Sequence, residues 1–169
     1  MPDLQRLRPD HAPAVLAFER ENRAFFAASV PDRGDDYFAQ FDVQHAARIA
    51  EQAAGICHFH LLVDGMGEVL GRFNLVDVAN GAADLGYRVA EKATGRGLAT
   101  ATVRRLCVLA AEEYGLTALR AATTLDNPAS QTVLTRAGFV ATDEEVLLSG
   151  RPGRGYLRDL DRLCVAQGE

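Results

Sequence analysis

A chain of 169 residues is the size of one domain, and 48% hydrophobic with 24% charged residues is the balance of a folded globular protein. That excludes disordered, collagen-like and fibrous classes. No apolar run reaches the ~20 residues of a membrane span, and Met1 to Asp10 carries no signal-peptide core, so no membrane partner is expected. A net charge of −5 argues against general nucleic-acid binding, which needs a basic face.

Lys92 is the only lysine, so nearly every strong cation is an arginine. Cys57, Cys107 and Cys164 are odd in number and far apart. They read as buried thiols in a reducing compartment rather than a disulfide framework, and the expected location is cytoplasmic.

Leu4 to Leu7 reads as a short first strand ended by Pro9. Asp10 then caps a helix running to about Ser29. Val30-Pro31-Asp32-Arg33-Gly34 is a loop by its Pro/Gly content. A second helix follows from Asp35 to Ala54, with Tyr37, Phe38, Phe41, His45 and Ile49 near one stripe. The texture then changes to strands. Ile56 to Val63, Glu68 to Val78 and Ala82 to Ala90 form an antiparallel meander through the turns Asp64-Gly65-Met66-Gly67 and Ala79-Asn80-Gly81.

Thr94-Gly95-Arg96-Gly97 opens a long helix whose apolar positions Ala99, Val103, Leu106, Cys107, Ala110 and Tyr114 keep helical spacing until Gly115. Leu116 to Thr124 is the next strand. Asn127-Pro128 starts a short helix that Gly138 ends, since Asn suits the N-cap and Pro the first turn. Phe139 to Ser149 and Gly155 to Leu160 are the last strands, joined by the loop Gly150 to Arg154, a flexible basic turn. The order β-α-α-β-β-β-α-β-α-β-β argues an α+β fold in one domain, residues 1–169.

The segment with most chemistry is Thr94-Gly95-Arg96-Gly97-Leu98-Ala99-Thr100. A strand delivers it to a helix start, where backbone N–H groups lack partners and about half a positive charge collects. Glycines let a phosphate approach those groups. The plainer reading is a strand-to-helix turn, and on this segment alone both stand. A P-loop is excluded because Gly-x4-Gly-Lys-Ser/Thr does not occur. A Rossmann fingerprint is excluded because position 100 is Thr, and Leu119-Arg120-Ala121-Ala122-Thr123 holds no acid.

This turn resembles the Gln/Arg-x-x-Gly-x-Gly/Ala pyrophosphate loop of the GCN5-related N-acetyltransferase (GNAT) superfamily. Gly97 and Ala99 match, and Thr94 stands where Gln or Arg is usual. Asn127-Pro128-Ala129-Ser130, then Leu134, then Ala137-Gly138-Phe139 is similar to the family's second signature. The Asn-Pro-x-Ser form and Leu85-Gly86-Tyr87 resemble the Rim-type branch, which acetylates protein N-termini. The resemblance covers about residues 56–160.

The resemblance implies a GNAT fold: a mixed central sheet of about seven strands flanked by four helices, splayed at the acetyl-CoA site between Ala82–Ala90 and Leu116–Thr124. It implies acetyl-CoA as co-substrate and no metal. Gly95, Arg96, Gly97, Leu98, Ala99 and Thr100 would hold the pyrophosphate with Thr94 beside them. The backbone near Val89 would pair with pantetheine, and Asn127 would contact the cofactor. The acetyl group would pass by direct attack to a primary amine, either a protein N-terminus or a small molecule. A non-catalytic acyl-CoA-binding module is the alternative. Relatives that dimerise leave a monomer or a homodimer open.

Many members place a Tyr where Leu134 stands here, so the leaving thiolate needs another donor, and Ser130 is the candidate. Its plainer role is capping its own helix. Asp84 is the candidate base, taking a proton through water; the plainer reading is a solvated strand acid. Asp143 and Glu144 are further carboxylates to weigh. Cys57-His58-x-His60 is not expected to bind metal, because on a strand Cys57 faces away from both histidines. The histidines could instead line an acceptor pocket. The resemblance also assigns the N-terminal helices, with Asn22-Arg23, to shaping the acceptor site; an ordinary amphipathic role is the plainer alternative.

Overall fold

The computed structural model describes residues 2–161, so the expectation for Cys164 lies outside the described residues. The strands are β1 (Asp3–Arg6), β2 (His58–Val63), β3 (Val69–Ala79), β4 (Ala82–Val89), β5 (Ala118–Thr124), β6 (Val140–Leu148) and β7 (Arg151–Asp159). The helices are α1 (Ala12–Glu21), α2 (Arg23–Ala27), α3 (Asp35–Ala39), α4 (Phe41–Ala53), α5 (Leu98–Glu112) and α6 (Pro128–Arg136). The strands form one mixed seven-stranded sheet in the order β1-β2-β3-β4-β5-β7-β6. The α+β expectation and the strand count therefore hold.

The chain divides into two compact units. The first comprises Met1–Leu75 and Tyr87–Arg96. Here β1, β2 and β3 pair antiparallel, from Asp3↔Val63 and from His58↔Leu75. All of β2 is buried, so its HFHLLV run reads as a continuous apolar strand interrupted by histidines. Val15 and Phe18 of α1, Phe26 of α2 and Phe41 of α4 fill the core with Phe59, Leu61 and Phe73. Tyr87 stacks on Phe73 with ring centroids 5.7 Å apart.

The four expected helices become six among the described residues, because each N-terminal helix is broken once. The first breaks at Asn22, where φ is −105° and ψ 9°. The Asn22 side chain explains this: its Nδ2 donates to the Phe18 carbonyl at 2.9 Å, and its Oδ1 accepts the Glu91 N–H at 3.0 Å. Asparagine thus offers the backbone an alternative to continuing the helix. The second break falls at Gln40, φ −110° and ψ 28°, with neither Pro nor Gly to announce it.

The second unit comprises Val76–Gly86 and Gly97–Glu169. Here α5 buries Val103, Leu106, Cys107 and Ala110 on one stripe, with Leu119, Leu134, Phe139 and Tyr156 in the same core. α5 packs on α6, and Arg104 donates to the Arg136 carbonyl from Nε at 3.1 Å and Nη2 at 2.7 Å. β4 pairs in parallel with β5 from Ala82↔Ala118 to Asp84↔Arg120. β5 continues against β7 as far as Thr124↔Gly153.

The expected basic loop Gly150 to Arg154 is corrected. Arg151 begins β7, and the turn is only Ser149-Gly150, with φ 52° and 79°. Two consecutive positive φ angles match the twist of a tight hairpin, so the strands need no longer loop.

Candidate active site

The turn ahead of α5 takes the conformation an anion cradle needs. Gly95 and Gly97 both lie in the left-handed region, φ 75° and 73°. Gly97 is the N-cap of α5, no side chain caps the helix, and no acid sits in its first turn. The first backbone bond from this cap runs from Ala101 N–H to the Gly97 carbonyl at 3.1 Å. The earlier amides therefore face outward with the helix's positive end unneutralised. A Cβ built on Gly95 or Gly97 would meet nothing within 4 Å, so the space over the loop is open. Thr94 to Gly97 are exposed, while Leu98, Ala99 and Thr100 are half-buried. Backbone donors, open space and a helix dipole together suit a diphosphate.

Thr94 does not offer its side chain to this space. Its hydroxyl donates to the Glu91 carbonyl at 2.7 Å and closes the short turn Glu91–Ala93. The Asn22 amide oxygen holds the front of that turn through the Glu91 N–H. Val89, the last residue of β4, is half-buried, and the following Ala90 N–H bonds to the Leu70 carbonyl at 2.8 Å.

Asn127 caps α6: its Oδ1 accepts the Ser130 N–H at 3.2 Å. Asn127 and Ser130 are both half-buried, on a helix clamped to α5 by Arg104. Leu134 is 1% exposed and belongs to the core. Asp84 sits at the paired end of β4, where its Oδ1 accepts from Arg120 Nε at 2.7 Å with both side chains well exposed. Asp143 and Glu144 are both exposed on β6.

His58 and His60 are buried in the first unit. His60 Nδ1 lies 3.2 Å from the Phe73 carbonyl, and burial pushes its imidazole down to about 4. His58 Nδ1 lies 3.4 Å from Arg6 Nη2. These contacts make both histidines part of the strand packing. Among the described residues no cluster of three or more His, Cys, Asp or Glu is placed to hold a metal ion.

Sequence reasoning missed a buried charge cluster in the first unit. Glu19 of α1 is 1% exposed. Arg33 reaches it from Nε and Nη2 at 3.0 and 3.1 Å, and Arg72 from Nη1 at 2.8 Å. Arg88 Nη1 lies 3.7 Å away. Burial alone would push the Glu19 carboxyl up, but the hydrogen bonds and charges of Arg33 and Arg72 outweigh it and hold it below its ordinary value. Arg23 is separately engaged by Asp32 and Asp35, each at 2.8 Å. Only the scarcity of lysine, Lys92 alone, hinted at such a centre, since arginine is the usual cation of buried ion pairs.

A family model for the acetyltransferase (GNAT) domain matches residues 3–140, and the chain belongs to that family. It is therefore an acetyltransferase enzyme. Several solved structures share its fold. A ribosomal-protein-S5-alanine acetyltransferase from Vibrio fischeri aligns with TM-score 0.86 at 17% identity, covering 94% of this chain and 92% of that one. RimL, a ribosomal L7/L12 alpha-N-protein acetyltransferase in complex with coenzyme A, gives TM-score 0.84 at 20% identity over 95% and 94%. A chimeric spermidine N-acetyltransferase, SpeG, from Vibrio cholerae and hSSAT gives 0.80 at 13% identity over 96% and 98%. No curated protein matches the sequence.

Proposed function

We propose that residues 1–169 act as a single domain that transfers the acetyl group of acetyl-CoA to the amino terminus of a peptide or protein in the cytosol. The observation that carries the cofactor assignment is the uncapped, glycine-opened start of α5. The Asn-Pro-x-Ser start of α6 and the fold likeness to Rim-type enzymes support the acceptor.

Bound acetyl-CoA supplies an activated thioester. The chain does the rest. The amides of Gly95 to Thr100 hold the diphosphate, with charge assistance from the α5 dipole. The backbone at Val89 holds the pantetheine arm as an added strand would and offers an N–H to the acyl oxygen. Asn127 fixes the start of α6, and Ser130 turns its hydroxyl toward the departing sulfur. Asp84 is the candidate to draw off the amine's proton through water, and exposed β-strand acids are suited to passing protons to solvent. Positioning the amine accounts for much of the acceleration, because it removes the entropy of encounter.

The test is thiol release from acetyl-CoA against a panel of N-terminal peptides and small amines. Turnover with peptides sustains the reading. Binding of acetyl-CoA without thiol release for any amine would leave a cofactor-binding module instead.

A further inference from the structure

The first unit holds a small surface cleft of about 10 Å³, room for about one water, whose lining includes Glu19, Arg23, Phe26, Asp32, Arg33 and Arg88. Its charges do not balance locally. Arg23 is satisfied by Asp32 and Asp35, one of them bidentate. That leaves Glu19 alone to face Arg33, Arg72 and Arg88. Arg33 and Arg72 already occupy both carboxylate oxygens at 2.8–3.1 Å. Arg72 Nε is buried with no partner.

Arg88 is the residue left over. It approaches Glu19 no closer than 3.7 Å, and its guanidinium carbon lies 5.1 Å from the Phe26 ring centroid. Among the described residues it makes no side-chain hydrogen bond, although a guanidinium carries five donors. Its side chain is 24% exposed. Burial and the like charges of Arg33 and Arg72 disfavour its charged form against the pull of Glu19. A partly buried, charged group with unused donors is costly unless something pairs with it.

Arg88 directly precedes Val89 on β4, about 3.3 Å along the strand. Its side chain points to the face opposite that of Val89. A group held by Arg88 is therefore about one arginine side chain from the strand assigned to the acyl arm. We propose that Arg88, backed by Arg33, binds a carboxylate on the acceptor, so that the preferred amines carry an anionic group near the reacting nitrogen. This rests on the acceptor reading above and makes a polyamine a poor substrate, because an ammonium beside three arginines is repelled.

The test is calorimetric binding of amidated peptides to the coenzyme A-loaded protein, which needs no turnover. One peptide has glutamate at its second position, and the controls have glutamine or lysine there. A dipeptide with a free terminal carboxylate separates a side-chain source of the anion from a main-chain source. The glutamate peptide, the free-carboxylate dipeptide or both should bind about tenfold or more tighter than the amidated glutamine peptide, the value of one charge-assisted hydrogen bond. R88Q should bring that ratio to within about twofold, and R88K should restore part of it. Equal binding of anionic and neutral ligands, tighter binding of the lysine peptide, or full selectivity in R88Q overturns the proposal. Thiol release without acid preference would sink this inference and leave the function standing. Acid-selective binding without thiol release would do the reverse.

Discussion

Gly97 turns the chain with φ 73°, which few L side chains adopt, and a Cβ there would meet nothing within 4 Å. Strain and space can therefore be separated from charge. Asn tolerates the left-handed region, so Gly97→Asn should keep acetyl-CoA binding within about tenfold. Gly97→Asp places a carboxylate among the outward amides and should abolish binding measured by calorimetry. If it binds as the parent does, the diphosphate is held elsewhere. Ser130 is the proposed donor to the departing sulfur, a role that would act only at that step. Ser130→Ala should lower kcat by about 10–100-fold, the value of a strong hydrogen bond made in the transition state, with the acetyl-CoA Kd unchanged. An unaltered kcat would remove Ser130 from the chemistry.

The elements are tied by a few side chains that act at a distance from their own helix. Asn22 ends α1 and in the same stroke holds the Glu91 N–H, so one residue sets both a helix break and the turn ahead of the start of α5. Asn22 is thus a positioning residue. Asn22→Ala forfeits two hydrogen bonds at about 1 kcal/mol each. The KM for acetyl-CoA should rise about fivefold or more, with a smaller change in kcat. Parallel losses in kcat alone would place Asn22 nearer the chemistry than its contacts suggest. The helix break was not visible from periodicity, because Phe18 and Phe26 keep an acceptable helical spacing across it. The Ser149-Gly150 hairpin was equally obscured. Pro152 and two further glycines made Gly150 to Arg154 look like loop, whereas pairing of β6 with β7 overrode that local preference.

At the scale of the whole molecule, stability is linked to protons through buried histidine. His60 is 1% exposed, and burial lowers its pKa from 6.5 to about 4. The unfolded chain then binds this proton at higher pH than the folded one. The His60 contribution is complete above about 6.5 and is lost as pH falls toward about 4, on the order of 3 kcal/mol. Urea midpoints at pH 7 and pH 5 should show about 2 kcal/mol of this loss, and His60→Gln should flatten the difference. A pH dependence identical in the variant would assign the loss to other groups, Glu19 first among them, since its lowered pKa also removes stability in acid.

How much was legible follows from the range of the forces. Thr94 to Thr100 are contiguous, so the glycine-opened turn and the bare start of α5 are legible in the sequence itself, where a plain turn and a phosphate site both stand on that segment alone. Asn127 and Ser130 are likewise three apart, one helical turn, and their cap could be read before any coordinates. The strand count and the family came from the same local order. The Glu19 centre came only from tertiary structure. Its arginines lie on a loop and two strands, with Arg72 separated from Glu19 by 53 positions. No periodicity links such residues. Only packing of α1 against the sheet removes Glu19 from water and gathers three guanidinium groups around one carboxylate.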